Sequence, residues 1–584
     1  MKRISIFLVV LLSLCSCNRR NIAQSALNLD FEIRDYDGPS LPFNWFAGGE
    51  GYKVALDSIE KHHGMFSLKM EKIDNTNGKE GVFTGSLPVE TFAGKNVEYR
   101  GWIKTKDVKN GYVGLWLRVD GADRKTLGGG TTYDRGLKGD NDWTQVSIKV
   151  DVSKDAANIN FGGAFLEKGI VWFDDLELYI NGKKYIDAEP ELKKTLSQKE
   201  IATLKKYIYP LRTYEPDGGD TKDLKILDKL IGNSNVVALG EVSHGSSEVY
   251  KMKNRIIQYL AENNGFNMFS IEANMPESYK LNDYTVRGEG DPKKLIAGMY
   301  FQTWNTEEML NMVEWMRMFN QPKQRIEFTG FDMQHFDGAV NELHDAFKEN
   351  KDIENKIDSL KTKLNEIKIQ AQQNHGIVSV GNNERKDIDS ILNCIEMSSF
   401  QMPEKTWLQQ NIVIIDQYLG NNHVFWRDKC MADNFMWIKE HNPNSKFIIW
   451  AHNGHIEKTF FIMGSYLAQK FGDDYTTFGF TFFDGNFTTE GSNGLTSYET
   501  PQAYPGTLEY LLNQLNEPVF ILDLKKIKSD NSIDTEWLRG QLDYRFAGAI
   551  AGESGGFMSK KITDDFDYLI FIKTSSPSHL LPKL

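Results

Sequence analysis

The sequence predicts an α/β fold, a mostly parallel β-sheet with flanking helices and a helical insertion, preceded by an all-β sandwich domain. Three observations carry this expectation. At 584 residues the chain is too long for one ordinary core. From Leu27 to about Tyr185, apolar and aromatic residues alternate in short runs between Gly, Asn and Asp clusters, which is the pattern of antiparallel strands. After Asp187 the period changes, and short apolar runs alternate with helical segments, as parallel strands joined by helices do.

The chain opens on Lys2 and Arg3, an apolar run from Ile4 to Leu14, and then Leu14-Cys15-Ser16-Cys17. Residues 1–17 read as a lipoprotein signal peptide with Cys17 as the lipidated residue, and residues 18–26 as a tether. The apolar run is too short to span a bilayer as a mature helix; a plain secretory signal is the alternative. The expected location is the cell envelope, membrane-anchored through the lipid and facing the periplasm. Cys394 and Cys430 lie beyond the signal in a region of helical pattern, and sequence leaves open whether they pair.

Residues 27–185 form the expected sandwich, with strands such as Val97-Glu98-Tyr99-Arg100-Gly101-Trp102-Ile103. Asn28-Leu29-Asp30-Phe31-Glu32, His63-Gly64-Met65-Phe66-Ser67-Leu68 and Val171-Trp172-Phe173-Asp174-Asp175-Leu176 resemble jelly-roll modules of the carbohydrate-binding, galactose-binding-like class. A spacer or docking role is the default for such a module, because most aromatics of a small sandwich fill its core; a glycan stacked on Trp or Tyr is the alternative. Asp174 and Asp175 read as solvated loop acids, with a structural Ca²⁺ as the other reading.

Residues 186–222 read as a helical connector, Glu191 to Tyr207 being helical in pattern, and residues 223–584 as the catalytic domain. Strands are expected at Asn235–Leu239, Asn267–Ile271, Arg325–Gly330, Lys446–Trp450, Thr476–Phe483, Pro518–Leu524 and Asp567–Lys573, with a helix at Glu248–Asn263. Residues 338–442 are charged and helix-rich, and read as an insertion whose charge runs are solvated helix faces. The chain carries 68 basic against 80 acidic residues without a long Lys/Arg tract, so a phosphate backbone finds little to attract it and nucleic acid is excluded as a partner.

In open parallel sheets ligands bind outside the carboxyl ends of the strands, so the residues just beyond each strand are informative. Val236–Leu239 runs into Gly240-Glu241-Val242-Ser243-His244-Gly245, Phe269-Ser270-Ile271 ends on Glu272, Phe328–Phe331 ends on Asp332, and Ile448–Trp450 runs into Ala451-His452-Asn453-Gly454-His455. Three of only 11 histidines therefore meet three carboxylates at four strand ends. Each alone has a structural explanation: Glu241 as a helix cap, His452 or His455 as a satisfied histidine, Asp332 as a loop-amide acceptor. Together they describe a functional site, and their chemistry suits hydrolysis, which needs a base titrating near neutrality, a carboxylate to orient it, and donors for the oxyanion.

The ordered series Gly240-Glu241-Val242-Ser243-His244-Gly245, Ile271-Glu272-Ala273, Trp304-Asn305-Thr306-Glu307-Glu308, Gly330-Phe331-Asp332, Arg427-Asp428-Lys429-Cys430 and Trp450-Ala451-His452-Asn453-Gly454-His455 resembles that of the erythromycin esterase family. The resemblance runs from about Asp223 to the carboxyl end. It implies metal-independent and cofactor-independent hydrolysis of a small-molecule ester or macrolide-type lactone by activated water. It assigns His244 as base, with Glu241, Glu272, His452 and His455 as further catalytic residues. Lys253 stands where some members have arginine and is followed by Arg255; with Asp332 and Arg427 these are the candidate substrate-binding residues.

Three rival readings remain. The same His/Glu cluster offers ligands for Zn²⁺ or Mn²⁺, although no familiar local spacing is present. Gly552-Glu553-Ser554-Gly555-Gly556 fits the nucleophile-elbow pattern, with only His579 after it as a partner. A non-catalytic, envelope glycan-binding lipoprotein is the third.

Overall fold

The computed structural model describes residues 27–582 apart from 33–41, 43–44, 49–51, 73–79, 122–124, 187–192, 217–220, 374–377, 421–423, 460–461, 492–493, 501, 531, 541 and 548–556. The signal and tether with Cys17, and the Gly552–Gly556 segment, lie outside the described residues. The chain divides after Leu192 into two compact units. Among the described residues no helix is long and apolar enough to cross a membrane.

The first unit holds β1 (Phe46–Gly48), β2 (Tyr52–Asp57), β3 (Ser67–Lys72), β4 (Glu80–Ser86), β5 (Asn96–Asp120), β6 (Thr126–Thr131), β7 (Gly139–Asp151), β8 (Asn158–Ile180) and β9 (Lys183–Lys184). All of their pairings are antiparallel. The long strands β5 and β8 pair with each other; β8 also takes β3 and β4, while β5 takes β6 and β7. Inside, Phe31, Trp45, Phe83 and Phe161 meet tilted or edge-on at 5.0 to 5.7 Å between ring centres, the favoured aromatic arrangement. Asp174 is not the solvated acid its sequence context suggests. It is buried, and its two oxygens accept the backbone N–H groups of His62, His63 and Asp175.

The second unit is built on one sheet. Its strands are β10 (Ile208–Pro210), β11 (Val236–Leu239), β12 (Met268–Asn274), β13 (Glu327–Asp332), β14 (Phe447–Trp450), β15 (Tyr475–Gly491), β16 (Gly494–Thr500), β17 (Val519–Asp523) and β20 (Tyr568–Ser575); β18 (Leu542–Arg545) and β19 (Phe557–Lys560) form a separate antiparallel pair. The order is β10-β17-β20-β15-β11-β14-β12-β13, with β16 beside β15. From β20 to β13 every neighbour is parallel, while β17 and β10 close one edge antiparallel.

The sheet is buried on both faces, as parallel sheets are. Along β11, Val236 and Ala238 enter one core and Val237 and Leu239 the other, all fully buried. The Ser247–Asn263 helix begins at the Ser246 cap and lays Val249, Met252, Ile256 and Leu260 on the second core. Between β13 and β14 run helices Asp337–Phe347, Lys351–Gln373, Asn382–Ser399, Lys405–Leu419 and Val424–His441. The charged helix Lys351–Gln373 still buries Ile353, Ile357, Leu360, Leu364 and Ile367 on the first core, an alternating spacing of four and three that keeps one face inward.

One further expectation changes. Among the described residues, the helix expected over Glu191–Tyr207 runs from Gln198 to Leu204: the Ser197–Glu200 capping box starts it. The aromatic and β-branched Tyr207-Ile208-Tyr209 before Pro210 then turns into β10 on the sheet edge. The pairing that sequence leaves open for Cys394 and Cys430 does not form, and both are free thiols.

Candidate active site

Strands β11, β14, β12 and β13 lie side by side, so their carboxyl ends open on one crevice. The strand order also reverses there, since β12 and β13 lie to one side of β11 and β15 to the other. The turn after β11 is tight against its neighbours. A Cβ on Gly240 would meet Asn453 Oδ1 at 2.2 Å, and one on Gly245 would meet the Thr488 carbonyl at 1.9 Å.

Glu241 is fully buried and takes three donors. Its Oε1 receives His244 Nδ1 at 2.6 Å, while Oε2 receives Lys253 Nζ at 2.9 Å and Trp450 Nε1 at 2.6 Å. Burial would raise its pKa, but the Lys253 ammonium and His244 hold the carboxyl below its ordinary value. Lys253 is itself sealed in, 4.1 Å from the centre of the Trp450 ring, and burial pulls its ammonium down to about 8 against the attraction of Glu241. His244 keeps 13% of its side chain exposed. Its ring lies 5.1 Å from that of His452 and edge-on to Trp304, and the Tyr250 hydroxyl donates to its backbone carbonyl.

Glu272 anchors the second half. Its Oε2 accepts the His452 backbone N–H at 2.9 Å and its Oε1 accepts Arg427 at 2.7 Å, with His455 Nε2 at 3.3 Å. Burial opposes ionisation, yet His455 and Arg427 hold this carboxyl well below the usual range. Arg427 comes from the Val424–His441 helix and also grips Asp332, whose two oxygens it reaches at 2.7 to 3.2 Å. His455 Nδ1 lies 2.8 Å from Asp428 Oδ1. Burial would lower its pKa, but Asp428 and Glu272 raise it to about 10, so it stays an imidazolium near neutrality.

His452 is different. Its Nδ1 accepts the Gly454 N–H at 3.1 Å, and its Nε2 faces the Ala547 carbonyl at 2.8 Å. Both nitrogens are engaged in a way that fixes a neutral ring, and burial, aided by His244, pushes its pKa down to about 4.

The structure thus gathers Glu241, His244, Glu272, Asp332, Arg427, His452 and His455. Of the candidate substrate-binding residues, Lys253, Asp332 and Arg427 lie at this cluster and Arg255 does not. Arg255 points elsewhere: its guanidinium is bonded to both oxygens of Asp223 and to the Thr213 carbonyl. Residues two apart on a helix lie about 200° apart, so Lys253 and Arg255 do not share a face. Lys253 is fully buried behind Glu241, whose carboxylate it supports. Asp332 is likewise fully buried and occupied by Arg427. Asp428 and Trp450 are the residues sequence reasoning left out of the site. Both stand inside the motifs that carry the family resemblance, and the adjacency of Arg427 and Asp428 is the signal that could have found the acid.

The rival readings find less here. His452 and His455 have both ring nitrogens engaged by protein groups. His579 has 60% of its side chain exposed and is bonded to Glu308.

The erythromycin esterase family model matches residues 261–575, which include Glu272, Asp332, Arg427, His452 and His455. The Bacillus subtilis protein YbfO, a putative hydrolase by name, is 23% identical over 412 residues, 63% of this chain and 90% of its own. Erythromycin esterase type II of Escherichia coli is 24% identical over 399 residues, 58% of this chain and 94% of its own. The crystal structure of a Bacillus cereus protein matches with a TM-score of 0.58 at 25% identity, covering 66% of this chain and 99% of that one. With the family model spanning more than half of its length, the chain belongs to the erythromycin esterase family.

Proposed function

We propose that this protein hydrolyses a small-molecule ester or macrolide-type lactone with water activated by His244, and that no metal takes part in the step. The observation that carries the reading is the 2.6 Å contact between His244 Nδ1 and Glu241. A buried carboxylate there fixes the tautomer with the proton on Nδ1, which leaves Nε2 as the basic atom. Among the described residues no protein group bonds Nε2.

In the reaction, Nε2 takes a proton from water as its oxygen attacks the acyl carbon. The carbonyl oxygen gains the negative charge, and Arg427 with the His455 imidazolium supplies positive charge for it. The intermediate then expels the alkoxide, which recovers the proton from Nε2, leaving a carboxylic acid and an alcohol. Glu241 steadies the transient His244 imidazolium, and Lys253 and Trp450 hold Glu241. The name of the Escherichia coli relative makes erythromycin the first compound to try.

The test is incubation of the protein with erythromycin and a panel of esters and lactones, with products identified by mass. Turnover of at least one member is expected, and His244→Ala should lower it about 10² to 10⁴-fold. Full activity in folded His244→Ala would remove the base. Activity that disappears with chelator and returns with one divalent ion would transfer the step to a metal. The chain is further proposed to be anchored to the envelope by acylation at Cys17; a mature amino terminus that begins elsewhere by mass spectrometry would overturn that.

A further inference from the structure

We infer that His62, His63 and Asp175, in the first unit, bind one divalent transition-metal ion such as Zn²⁺ or Cu²⁺. Among the described residues this is the group of three His, Cys, Asp or Glu side chains whose ligand atoms all lie within 4.8 Å of one another. His62 Nδ1 and His63 Nδ1 both approach the same atom, Asp175 Oδ2, at 2.5 Å.

Adjacent residues of an extended chain point to opposite sides, so two neighbouring imidazoles turned on one oxygen require a built loop. Three carboxylates build it. Asp57 Oδ1 accepts the N–H groups of Ile59 and Glu60, and Glu32 Oε1 accepts those of Met65 and Phe66. Asp174, buried beneath, accepts the N–H groups of His62 and His63 on one oxygen and of Asp175 on the other. One buried carboxylate therefore orients all three ligand-bearing residues, the supporting role that outer groups play around bound metals. Gly64 turns the loop at φ +64°, and a Cβ there would strike Glu32. Asp175 holds φ 45°, a left-handed conformation uncommon for a residue with a side chain.

The donor set selects the ion. Two imidazole nitrogens and one carboxylate oxygen suit Zn²⁺ or Cu²⁺, whereas Ca²⁺ takes about 6 to 8 oxygens. Asp174, the other acid of the sequence's Ca²⁺ reading, has its oxygens occupied by amides. Zinc bonds of about 2.0 to 2.2 Å need ligand atoms somewhat farther apart than the present contacts. The His63 side chain, 72% exposed, is free to swing by that amount. His62 stacks on Trp102 at 4.1 Å between ring centres, which places an optical reporter beside the site.

The full chain, stripped with chelator, is titrated with ZnCl₂ by calorimetry and with CuCl₂ by tryptophan fluorescence. One saturable ion per chain is expected, with copper quenching Trp102. His63→Ala and Asp175→Asn should each weaken zinc binding at least about 100-fold while hydrolysis is unchanged. Asparagine tolerates the left-handed backbone at 175. His244→Ala should leave zinc affinity intact, which separates this site from the strand-end cluster. Zinc affinity unchanged in both variants, or no saturable uptake by the wild type up to millimolar zinc, would overturn the assignment.

Discussion

The two units place their imidazoles and carboxylates in opposite ways. In the antiparallel unit His62, His63 and Asp175 sit on a surface loop and a strand bend, above an interior filled by aromatic rings. In the α/β unit Glu241, Glu272, Asp332 and His452 are buried where strands end. Strand direction explains the difference. Antiparallel neighbours end at opposite edges, so their terminal residues disperse, whereas parallel neighbours deliver all their carboxyl ends to one crevice. Buried charge is tolerable there because each acid meets a cation or several N–H donors.

The largest effect that would sharpen this contrast is expected from Glu241→Gln. It removes the negative charge beside His244 and leaves Lys253 buried without its hydrogen-bonded counter-charge. Turnover should fall at least about 10²-fold, and stability by about 3 to 5 kcal/mol in denaturant unfolding. Adding Lys253→Met should recover much of the stability and none of the turnover. Recovery of turnover would show that Glu241 serves only packing.

Arg427→Lys is expected to come next. A lysine cannot span Glu272 and Asp332 together, so kcat/KM should drop about 10² to 10³-fold, the usual loss for a removed oxyanion donor. Arg255→Met, by contrast, should leave kcat/KM unchanged while lowering the unfolding midpoint, because Arg255 pairs with Asp223 outside the cluster.

Acidification offers a third comparison. His452 has its folded pKa lowered to about 4 from an ordinary 6.5. The unfolded chain then binds a proton that the folded one refuses. Stability present above pH 6.5 should therefore be lost as pH falls toward 4, by about 3 kcal/mol for this group. His455, raised to about 10, works oppositely: its contribution is full below 6.5 and is lost as pH rises through 10. Urea unfolding across pH would show both limbs, and His452→Gln should flatten the acid one. The smallest effect is expected from deletion of residues 27–185, which should leave turnover of a small ester within about two-fold, since this unit has its own core. A folded truncation without turnover would break the comparison.

The strand-end acids and histidines were legible because buried parallel strands are short apolar runs, and a Glu, Asp or His at the end of such a run stands out. The alternating pattern of the first unit was legible for the same kind of reason. What stayed hidden depends on contacts between distant segments. Arg255 and Lys253 look equivalent in sequence, yet only Lys253 faces Glu241. The tautomer of His452 rests on the carbonyl of Ala547, 95 residues away. The short Gln198–Leu204 helix ends because the following residues complete a sheet edge, a tertiary demand that helical periodicity cannot reveal.

The place of β14 in the sheet has a consequence for biosynthesis. This strand wedges between β11 and β12, although both precede it on the ribosome. Trp450, the partner of Glu241, is synthesised 209 residues after it, beyond the whole five-helix segment. Without β14, the strands that lead to Glu241 and Glu272 have no common neighbour in the sheet. His452 and His455 follow β14 directly, so the strand that joins the two acids in the sheet also brings the histidines that meet them. Such long-range closure is slow, and because the His452 ring is held by the carbonyl of Ala547, 95 residues further on, the crevice is complete only once the carboxyl-terminal part of the chain has folded.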